Sequence, residues 1–400
     1  MKRQIYNRLG IAHVRDVIAQ FTSNDITLSQ AISELGIGKT RLYELRSDYL
    51  KSRAIGMADT WEPGRSGGNH MPEWPSEVVR FLREVLTPHA GCRPYTYAFA
   101  ASEAGRLFDW KLDRAQVRLW AMAHGLAKPA FNPHPPAYVR RWQRESVGEL
   151  WQLDATPDRF FGAGGPVAHL LDMLDDCSRM QVGCALYPRE SVAAYLHLFH
   201  TAFTRYGLPL EIYVDKASFF RAPDGSLTQL AKRLRFYDVS FLCANTPEAK
   251  GKIERVHQVW QDRLPAYFGH TPDAAASFGT ANAHLSTLVD YRNMSETHRE
   301  IGMTPGEAWR RAVAEGRNKL RPRPDDKWWH FVWSEWSSLR IGLRGRVDVD
   351  GITCPTQCAN GTRAYLCRHV DGSFSILLGK PSRETKPVVL FSTKRDLGKI

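Results

Sequence analysis

"ELWQLDATPDRF" (residues 149–160) and "PVAHLLDMLDDCSRMQVGCALYP" (residues 166–188) are consecutive stretches in which apolar residues dominate. Short apolar runs bounded by polar clusters are typical of buried strands. The first stretch therefore predicts one strand. The second predicts two β segments on either side of a polar turn at Asp175, Asp176 and Ser178.

The residues that follow alternate between helix and strand. A helical pattern over 191–206 ends at Gly207 and precedes the short apolar strand "LEIYVD" (210–215). After it come a helix near 229–234, a strand "VSFLCA" (239–244) and the helix-forming stretch "NTPEAKGKIERVHQVWQDRL" (245–264). Three strands in succession, then strand and helix in alternation, predict a mixed sheet flanked by helices. We assign this central α/β domain to residues 148–272.

A helix-turn-helix pattern lies near the start of the chain, in a predicted domain spanning residues 1–58. In "ITLSQAISELGIGKTRLYELRSDYL" (26–50), apolar residues recur at helical spacing and the pattern breaks at Gly36. The second helix carries basic side chains able to reach a DNA groove, namely Lys39, Arg41 and Arg46. A helical hairpin without DNA contacts fits the same pattern.

A second helical domain is predicted over residues 76–126, after a linker rich in Gly and Pro. Its last helix is basic and amphipathic and carries Arg114 and Arg118 as further candidate DNA contacts. A plain helical bundle is the alternative. Residues 127–147 contain several prolines, which predict an extended linker, with Arg140 and Arg141 placed to contact phosphates.

The chain continues past the central domain with a helical extension over 273–316 and a final β domain over 328–400. The last segment alternates apolar and polar residues and contains the turn pairs Asp350-Gly351 and Asp371-Gly372. Such turns are typical of hairpins, and we expect a small β-barrel here. The sequence as a whole predicts a multidomain α/β protein with N-terminal all-α modules.

The net charge of +12 is unevenly distributed along the chain. Residues 1–148 carry +7, residues 149–315 carry −3 and residues 316–400 carry +8. Basic outer segments around a slightly acidic centre suit a protein whose flanks hold a polyanion. A basic protein with no such partner has the same net charge.

Composition bears on compartment and on disulfides. No run of eighteen apolar residues occurs, and the first residues lack the apolar block of a signal peptide, so we expect a cytoplasmic protein with no membrane partner. Seven scattered cysteines favour reduced thiols over a disulfide framework. One group has the ligand types of a zinc site, although its last members lie in a strand pattern: Cys354, Cys358, Cys367 and His369.

Three carboxylates stand at the edges of the predicted central elements. Asp154 and Asp215 follow apolar strands, and Glu254 lies near the start of a helix. Such positions converge on one edge of an α/β sheet. Clustered carboxylates raise one another's pKa values unless divalent cations neutralise them, and oxygen ligands favour Mg²⁺ or Mn²⁺. Two such ions suit phosphodiester chemistry.

The turn around Glu254 is otherwise basic. Lys250, Lys252 and Arg255 are candidate phosphate contacts beside the metal ions. The alternative for Glu254 is an ion pair with Lys250, four residues earlier on the same helical face.

These motifs together resemble a known family. "WQLD", "DDCSR", the strand ending in Asp215 and the stretch 245–264 are similar to the integrase-type catalytic core of DDE transposases, which has a ribonuclease-H-like fold. The similarity covers residues 148–265, and the order of domains resembles the ISNCY-type insertion-sequence transposases. The Lys216-Ala217 pair stands where many relatives have Asn-Gly.

The resemblance implies a function and assigns roles. Asp154, Asp215 and Glu254 would bind two Mg²⁺ or Mn²⁺ ions, and Asp175 and Asp176 would be structural. The activity would be hydrolysis at the ends of a DNA element, followed by transfer of the 3′-hydroxyl to target DNA. The partners would be double-stranded DNA and further copies of the chain, in the nucleoid of a prokaryotic cytoplasm.

Other interpretations remain open at the level of sequence. A domesticated DNA-binding protein without catalysis fits the helical modules, and a ribonuclease or resolvase fits the core. His197 and His200, three residues apart on a predicted helix, have the spacing of a metal pair but lack an evident third ligand. The aromatic segment 327–336 suits either base stacking or packing between domains.

Overall fold

The computed structural model divides the chain into two compact units, Met1–Ser76 and Glu77–Ile400. The residues it describes are 5, 9–54, 56–63, 74–89, 92–126, 143–214, 220, 228–243, 251–325, 328–380 and 387–393. Several predicted site residues therefore lie outside the described residues, namely Arg140, Arg141, Asp215 and Lys250.

The first unit is helical in its described residues. Its helices are α1 (Ile11–Ser23), α2 (Leu28–Leu35) and α3 (Lys39–Ala54). Helix α2 begins with a capping box between Thr27 and Gln30 and ends at Gly36, whose φ of 59° is left-handed. The helices bury one apolar core. The predicted break at Gly36 is confirmed.

The second unit begins with a further helical group. Helices α4 (Ser76–Leu86), α5 (Tyr97–Phe108) and α6 (Arg114–Ala123) precede the central sheet. Helix α6 starts at a capping box between Asp113 and Gln116. It ends close to the predicted position at Gly125.

The central sheet has five strands in the order β3-β2-β1-β4-β5. Its strands are β1 (Leu150–Asp158), β2 (Ala168–Asp175), β3 (Gln181–Tyr187), β4 (Glu211–Val214) and β5 (Ser240–Cys243). Strands β1, β2 and β3 pair antiparallel, whereas β1, β4 and β5 are parallel. The predicted mixed sheet is confirmed.

Helices surround this sheet. They are α7 (Val192–Tyr206), α8 (Gln229–Phe236), α9 (Gly251–His270), α10 (Phe278–Ser295), α11 (Pro305–Ala314) and α12 (Trp328–Val332). Apolar side chains of β1, including Trp151 and Leu153, pack with Phe199 and Phe203 of α7 in one buried cluster. Helix α9 covers β1 and β2 instead. Since successive side chains of a strand alternate, Gln152 and Asp154 are on the other face from Trp151 and Leu153.

Helix α9 extends further than the sequence predicts. It continues through Pro265 to His270, although proline cannot donate the backbone hydrogen bond to the carbonyl four residues earlier. That carbonyl, of Gln261, accepts a hydrogen bond of 3.4 Å from Arg93 Nη1 instead. The side chain of Arg93 thus replaces part of the bonding that the proline removes.

The edge strand β3 is covered by helix α10. Asn282 accepts from the backbone N–H of Leu186 and donates to its carbonyl, at 2.7 and 2.9 Å. Asn293 makes the same pair of bonds with Gln181, at 3.1 and 2.9 Å. The two side-chain amides therefore take the place of a neighbouring strand at both ends of β3.

The C-terminal segment forms two open sheets in its described residues. One has the order β11-β10-β9-β6 and the other pairs β7 with β8. Their strands are β6 (Glu335–Arg340), β7 (Arg346–Val349), β8 (Ile352–Pro355), β9 (Arg363–Arg368), β10 (Phe374–Leu378) and β11 (Val388–Ser392). Both Asp-Gly turns join hairpins as predicted. The predicted closed barrel is not seen, because no backbone ladder joins the two sheets in these residues; apolar side chains of both share one cluster instead.

The aromatic segment of residues 327–336 anchors this C-terminal part to the central domain. Trp329 and Trp333 are buried beside Tyr237 in the cluster that also contains Trp151. The rings of Trp333 and Tyr237 are stacked, with their centroids 5.9 Å apart. Trp329 Nε1 donates to Thr204 Oγ1 at 3.1 Å. This segment therefore serves packing between domains, and its buried rings are not placed to stack on bases.

Candidate active site

Strand β1 carries the first of the predicted metal-binding carboxylates. Asp154 lies in the middle of the strand, not at its end as predicted, because β1 stays paired with β2 through Asp158. Pairing with β4 covers only Leu150 to Gln152. Asp154 therefore lies just beyond the parallel pairing, and its side chain is 20% exposed.

Helix α9 runs alongside this face of the β1–β2 pair and contacts the pair and its turn at successive positions. Near its start, Lys252 Nζ lies 2.5 Å from Asp176 Oδ1. One turn later His257 Nδ1 lies 3.7 Å from Asp154 Oδ2. Further along, Gln261 Nε2 donates to Thr156 Oγ1 at 3.2 Å. Lys252 thus contacts the turn after β2, whereas His257 and Gln261, about one turn apart, contact β1.

Glu254 belongs to the first turn of α9 and is exposed. It precedes His257 by three residues and Gln261 by seven, so all three lie on neighbouring positions of one helical face. The residues that contact Asp154 and Thr156 are therefore those next to Glu254 on the helix. A carboxylate that is exposed in the first turn of the helix, next to His257, is available to bind a cation.

The sequence did not point to Asp172, which lies directly opposite Asp154 in the antiparallel β1–β2 pairing. Gln181 Nε2 donates to both of its oxygens at 3.0 Å. Burial raises the pKa of Asp172 to about 7, opposed mainly by the Gln181 hydrogen bond and by Arg292. The available signal was a single carboxylate inside the apolar run "AHLLDML".

The polar turn after β2 is structural, as interpreted from the sequence. Asp175 accepts from Gly148 N, from Trp151 Nε1 and from the backbone and hydroxyl of Ser178, at 2.7 to 3.1 Å. Burial raises the pKa of Asp175 to about 6. Carboxylate oxygens that already accept four hydrogen bonds have little capacity left for a metal ion.

Asp176 is equally enclosed by the protein. It is fully buried and accepts from Gln152 Nε2 at 2.7 Å and from Arg144 N at 2.7 Å, besides binding Lys252. Lys252 was predicted to contact phosphate, but its ammonium neutralises this buried carboxylate. Arg255, also a predicted phosphate contact, lies 2.7 Å from Glu300 and stays more than half exposed.

The candidate DNA contacts of the helical modules are at the surface to different degrees. Lys39, Arg114 and Arg118 are exposed. Arg41 pairs with Glu44 at 2.9 Å, and the guanidinium of Arg46 lies over the ring of Phe21 at 5.2 Å. The DNA contacts themselves stay predictions.

The alternative metal sites are not supported. His369 uses both ring nitrogens in hydrogen bonds, to Ser334 Oγ at 2.6 Å and Ser375 Oγ at 2.8 Å, which leaves none for zinc. His197 Nδ1 lies 2.7 Å from the hydroxyl of Tyr187. Within the described part of the chain, no cluster of three His, Cys, Asp or Glu residues has the arrangement of a metal site.

Two transposases share part of their sequence with this chain. It is 32% identical over 174 residues to the putative transposase y4bF of Sinorhizobium fredii, which covers 41% of this chain and 37% of that protein. It is 31% identical over 147 residues to the transposase for insertion sequence IS1202 of Streptococcus pneumoniae. This match covers 35% of this chain and 31% of that transposase. The chain thus spans about a third of the length of these relatives. No family model matches it.

Solved structures with a similar backbone include retroviral proteins. The HTLV-2 integrase catalytic core domain in complex with magnesium matches at 18% identity and a TM-score of 0.32, covering 40% of this chain and 95% of that one. A simian T-cell lymphotropic virus intasome, in complex with PP2A regulatory subunit B56 gamma, matches at 14% identity and a TM-score of 0.36. The match covers 72% of this chain and 95% of that one. Because these scores are low, relatedness rests on the two transposases.

No helix in the described residues is long and apolar enough to span a membrane.

Proposed function

We propose that this chain, which belongs to the superfamily of DDE transposases and integrases, is the transposase of an insertion sequence. The observation that carries the proposal is the alignment of α9 with β1, in which His257 contacts Asp154 one turn after Glu254. The order and direction of the sheet strands support the ribonuclease-H-like fold that the sequence resemblance implies.

The proposed metal ligands are Asp154, Asp215 and Glu254. Asp215 directly follows β4, which pairs with β1 so that Tyr213 is opposite Gln152, two residues before Asp154. Asp215 itself lies outside the described residues, and its role as a partner of Asp154 is part of the proposal. All three offer the carboxylate oxygens that Mg²⁺ and Mn²⁺ prefer. When bound, two such ions supply activation of the attacking oxygen and stabilisation of the leaving oxygen.

Other residues of the chain prepare this face. His257 orients Asp154 from the helix, and Gln181 holds Asp172 in place across the strand pair. The core packing of Trp151 and Leu153 on the opposite face keeps β1 rigid beneath the site. A site on rigid elements positions the scissile phosphate for in-line attack.

The proposed reaction cleaves a phosphodiester at an element end by water and then joins the freed 3′-hydroxyl to target DNA. The helical modules, through Lys39, Arg41, Arg46, Arg114 and Arg118, are the proposed binders of the terminal inverted repeats. Two ends have to be brought together, so we expect the chain to act as an oligomer on nucleoid DNA.

A cleavage and strand-transfer assay tests this function. Labelled DNA carrying the ends of the chain's own element is incubated with Mg²⁺ or Mn²⁺ and either wild type or Glu254→Gln. We expect wild type to cut and join, and the variant to bind the DNA equally well without cutting it. Equal cleavage by both proteins would return Glu254 to the role of a helix ion pair.

The same assay tests the second candidate function, that of a DNA-binding protein without catalysis. Specific binding of the ends by wild type, with no cleavage in either metal, would favour it. The partial exposure of Asp154 leaves its carboxylate accessible to a metal ion, as the catalytic function requires.

A further inference from the structure

A basic cavity of about 580 Å³ lies beside helix α9. Lys252, Val256 and Val259 of the helix line it. At 100° per residue, these positions are on the opposite side of α9 from Glu254 and Gln261. The cavity is therefore separate from the face that holds the proposed metal ligands.

The walls of the cavity carry an excess of positive charge. They include five cationic side chains and one carboxylate, namely Arg179, Lys252, Arg255, Arg292, Arg299 and Glu300. Asp176 neutralises Lys252 from behind. Two guanidiniums share Glu300, since Arg255 lies 2.7 Å and Arg179 3.6 Å from its oxygens. The single carboxylate of the cavity wall is thus already ion-paired with two arginines.

The two remaining arginines have no carboxylate within ion-pair distance among the described residues. Arg292 is 8% exposed, and its Nη1 donates to the neutral amide oxygen of Gln181 at 3.1 Å. Arg299 is exposed at the mouth. Burial lowers the pKa of Arg292, although Glu296 and Asp172 oppose this effect, so an anion bound in the cavity would stabilise the buried guanidinium further.

The positive charge of the cavity also shifts the pKa of a neighbouring histidine. The pKa of His298, which lines the cavity, is lowered to about 4, first by burial and then by Arg292 and Arg179. Glu300 opposes this effect and Arg255 adds to it. The cations therefore dominate the electrostatics inside the cavity.

The geometry points to a phosphate group as the ligand. Guanidinium groups bind phosphate through paired N–H donors and are the preferred side chains for this purpose. The cavity opens to solvent through exposed Arg255 and Arg299, so a phosphate that belongs to a long polymer can enter it.

We propose that the cavity lined by Arg179, Arg255, Arg292 and Arg299 binds a backbone phosphate of duplex DNA. Helix α9 then separates two roles, with carboxylates for chemistry on one side and a phosphate anchor on the other. The proposal rests on the proposed function only for the source of the phosphate, because inorganic phosphate has the same chemistry.

The test is a salt titration of DNA binding by the full chain in EDTA, where no cleavage takes place. Binding of a fluorescent duplex of arbitrary sequence is measured by anisotropy for wild type and for the double variant Arg255→Gln/Arg299→Gln. The matched control is Arg310→Gln/Arg311→Gln on α11, which removes the same charge; Arg311 is ion-paired with Glu315 and exposed like Arg255. Circular dichroism confirms that each variant is folded.

We expect the magnitude of the slope of log affinity against log salt to fall by about one in the double variant, because one phosphate contact is lost, and affinity to drop roughly tenfold at low salt. The control keeps the wild-type slope. An unchanged slope in the cavity variant overturns the proposal, whether or not the protein is later found to cut DNA.

A second arm separates the two sources of phosphate. Thermal unfolding is followed with and without inorganic phosphate at constant ionic strength. Stabilisation of wild type but not of the double variant, together with an unchanged DNA slope, would assign the cavity to free phosphate and overturn the DNA proposal. A failure of Glu254→Gln to lose cleavage leaves both arms unaffected, so the two proposals fail independently.

Discussion

The two sides of helix α9 differ in what surrounds their charges. On the strand side, Glu254 is exposed and Asp154 is partly exposed, with His257 as a nearby base. On the other side, Lys252 and Arg179 are enclosed with buried carboxylates and other arginines. The difference teaches that a single helix can present an exposed carboxylate on one side and ion-paired cations on the other. It also explains why a lone carboxylate stands in a basic helical turn.

The largest expected effect is on the strand side. Asp154→Asn keeps the shape of the side chain but weakens its binding of cations, so we expect DNA cleavage to fall about a thousandfold or more, roughly 4 kcal/mol of transition-state stabilisation. The free energy of unfolding should change by less than about 1 kcal/mol, since the side chain is partly solvated. Cleavage assays and urea denaturation of the same preparation measure both quantities.

If Asp154→Asn cleaved DNA at the wild-type rate, the strand side of α9 would not be the side that carries the chemistry. The useful control is Asp262→Asn, an exposed carboxylate of the same helix 4.0 Å from Arg93, which should cleave as wild type does.

The next effect concerns the opposite side and is one of stability. Lys252→Met leaves the buried Asp176 without its cation, and we expect a loss of about 3 kcal/mol in the free energy of unfolding. Adding Asp176→Asn to the same protein should restore part of it, which a double-mutant cycle by urea denaturation measures. Two strictly additive losses would mean that Lys252 and Asp176 do not stabilise each other.

A smaller effect is expected from pH. The pKa of His298 in the folded protein is about 4, below the ordinary value of 6.5 for histidine, so folding favours the neutral form. This preference contributes on the order of 2 kcal/mol to the free energy of unfolding, after allowance for solvent screening. The contribution is present above the pKa of His298 in the unfolded state and is lost as pH falls through its folded pKa.

The measurement compares wild type with His298→Gln by urea denaturation at neutral pH and in mild acid. The wild type should lose more stability than the variant on acidification, because groups common to both cancel in the difference. Parallel losses in the two proteins would show that His298 is not kept neutral by its cationic neighbours.

The smallest effect tests the alignment of helix and strand. Gln261→Ala removes the bond to Thr156 at 3.2 Å, and we expect a cost of about 1 kcal/mol in unfolding free energy. Cleavage should fall only slightly, because neither residue is a proposed ligand. A large loss of cleavage would show that the position of α9 along β1 depends on this bond.

Much of the fold was predictable because it depends on local pattern. Apolar runs predicted the central strands, and Gly36 and the Asp-Gly pairs predicted turns that the structure contains. Candidate carboxylates could be selected for the same reason, since Asp154 and Glu254 stand out in short stretches.

What depends on register or on distant contacts could not be predicted. Asp172 is opposite Asp154 only through the β1–β2 pairing, and Lys252 meets Asp176 across 76 positions of sequence. The barrel was expected from alternation and from the Asp-Gly turns, which specify strands and hairpins but not whether their sheets close. The burial of Trp333 in the central cluster depends likewise on tertiary packing.

The asparagine amides on β3 have a consequence for assembly. An uncovered edge strand is a template on which a second chain can add its own strand. Because Asn282 and Asn293 occupy the outward backbone groups of Leu186 and Gln181, a second copy cannot extend the central sheet at those positions without first displacing α10. The edge of β3 is therefore protected at these positions against strand addition by another copy of the chain.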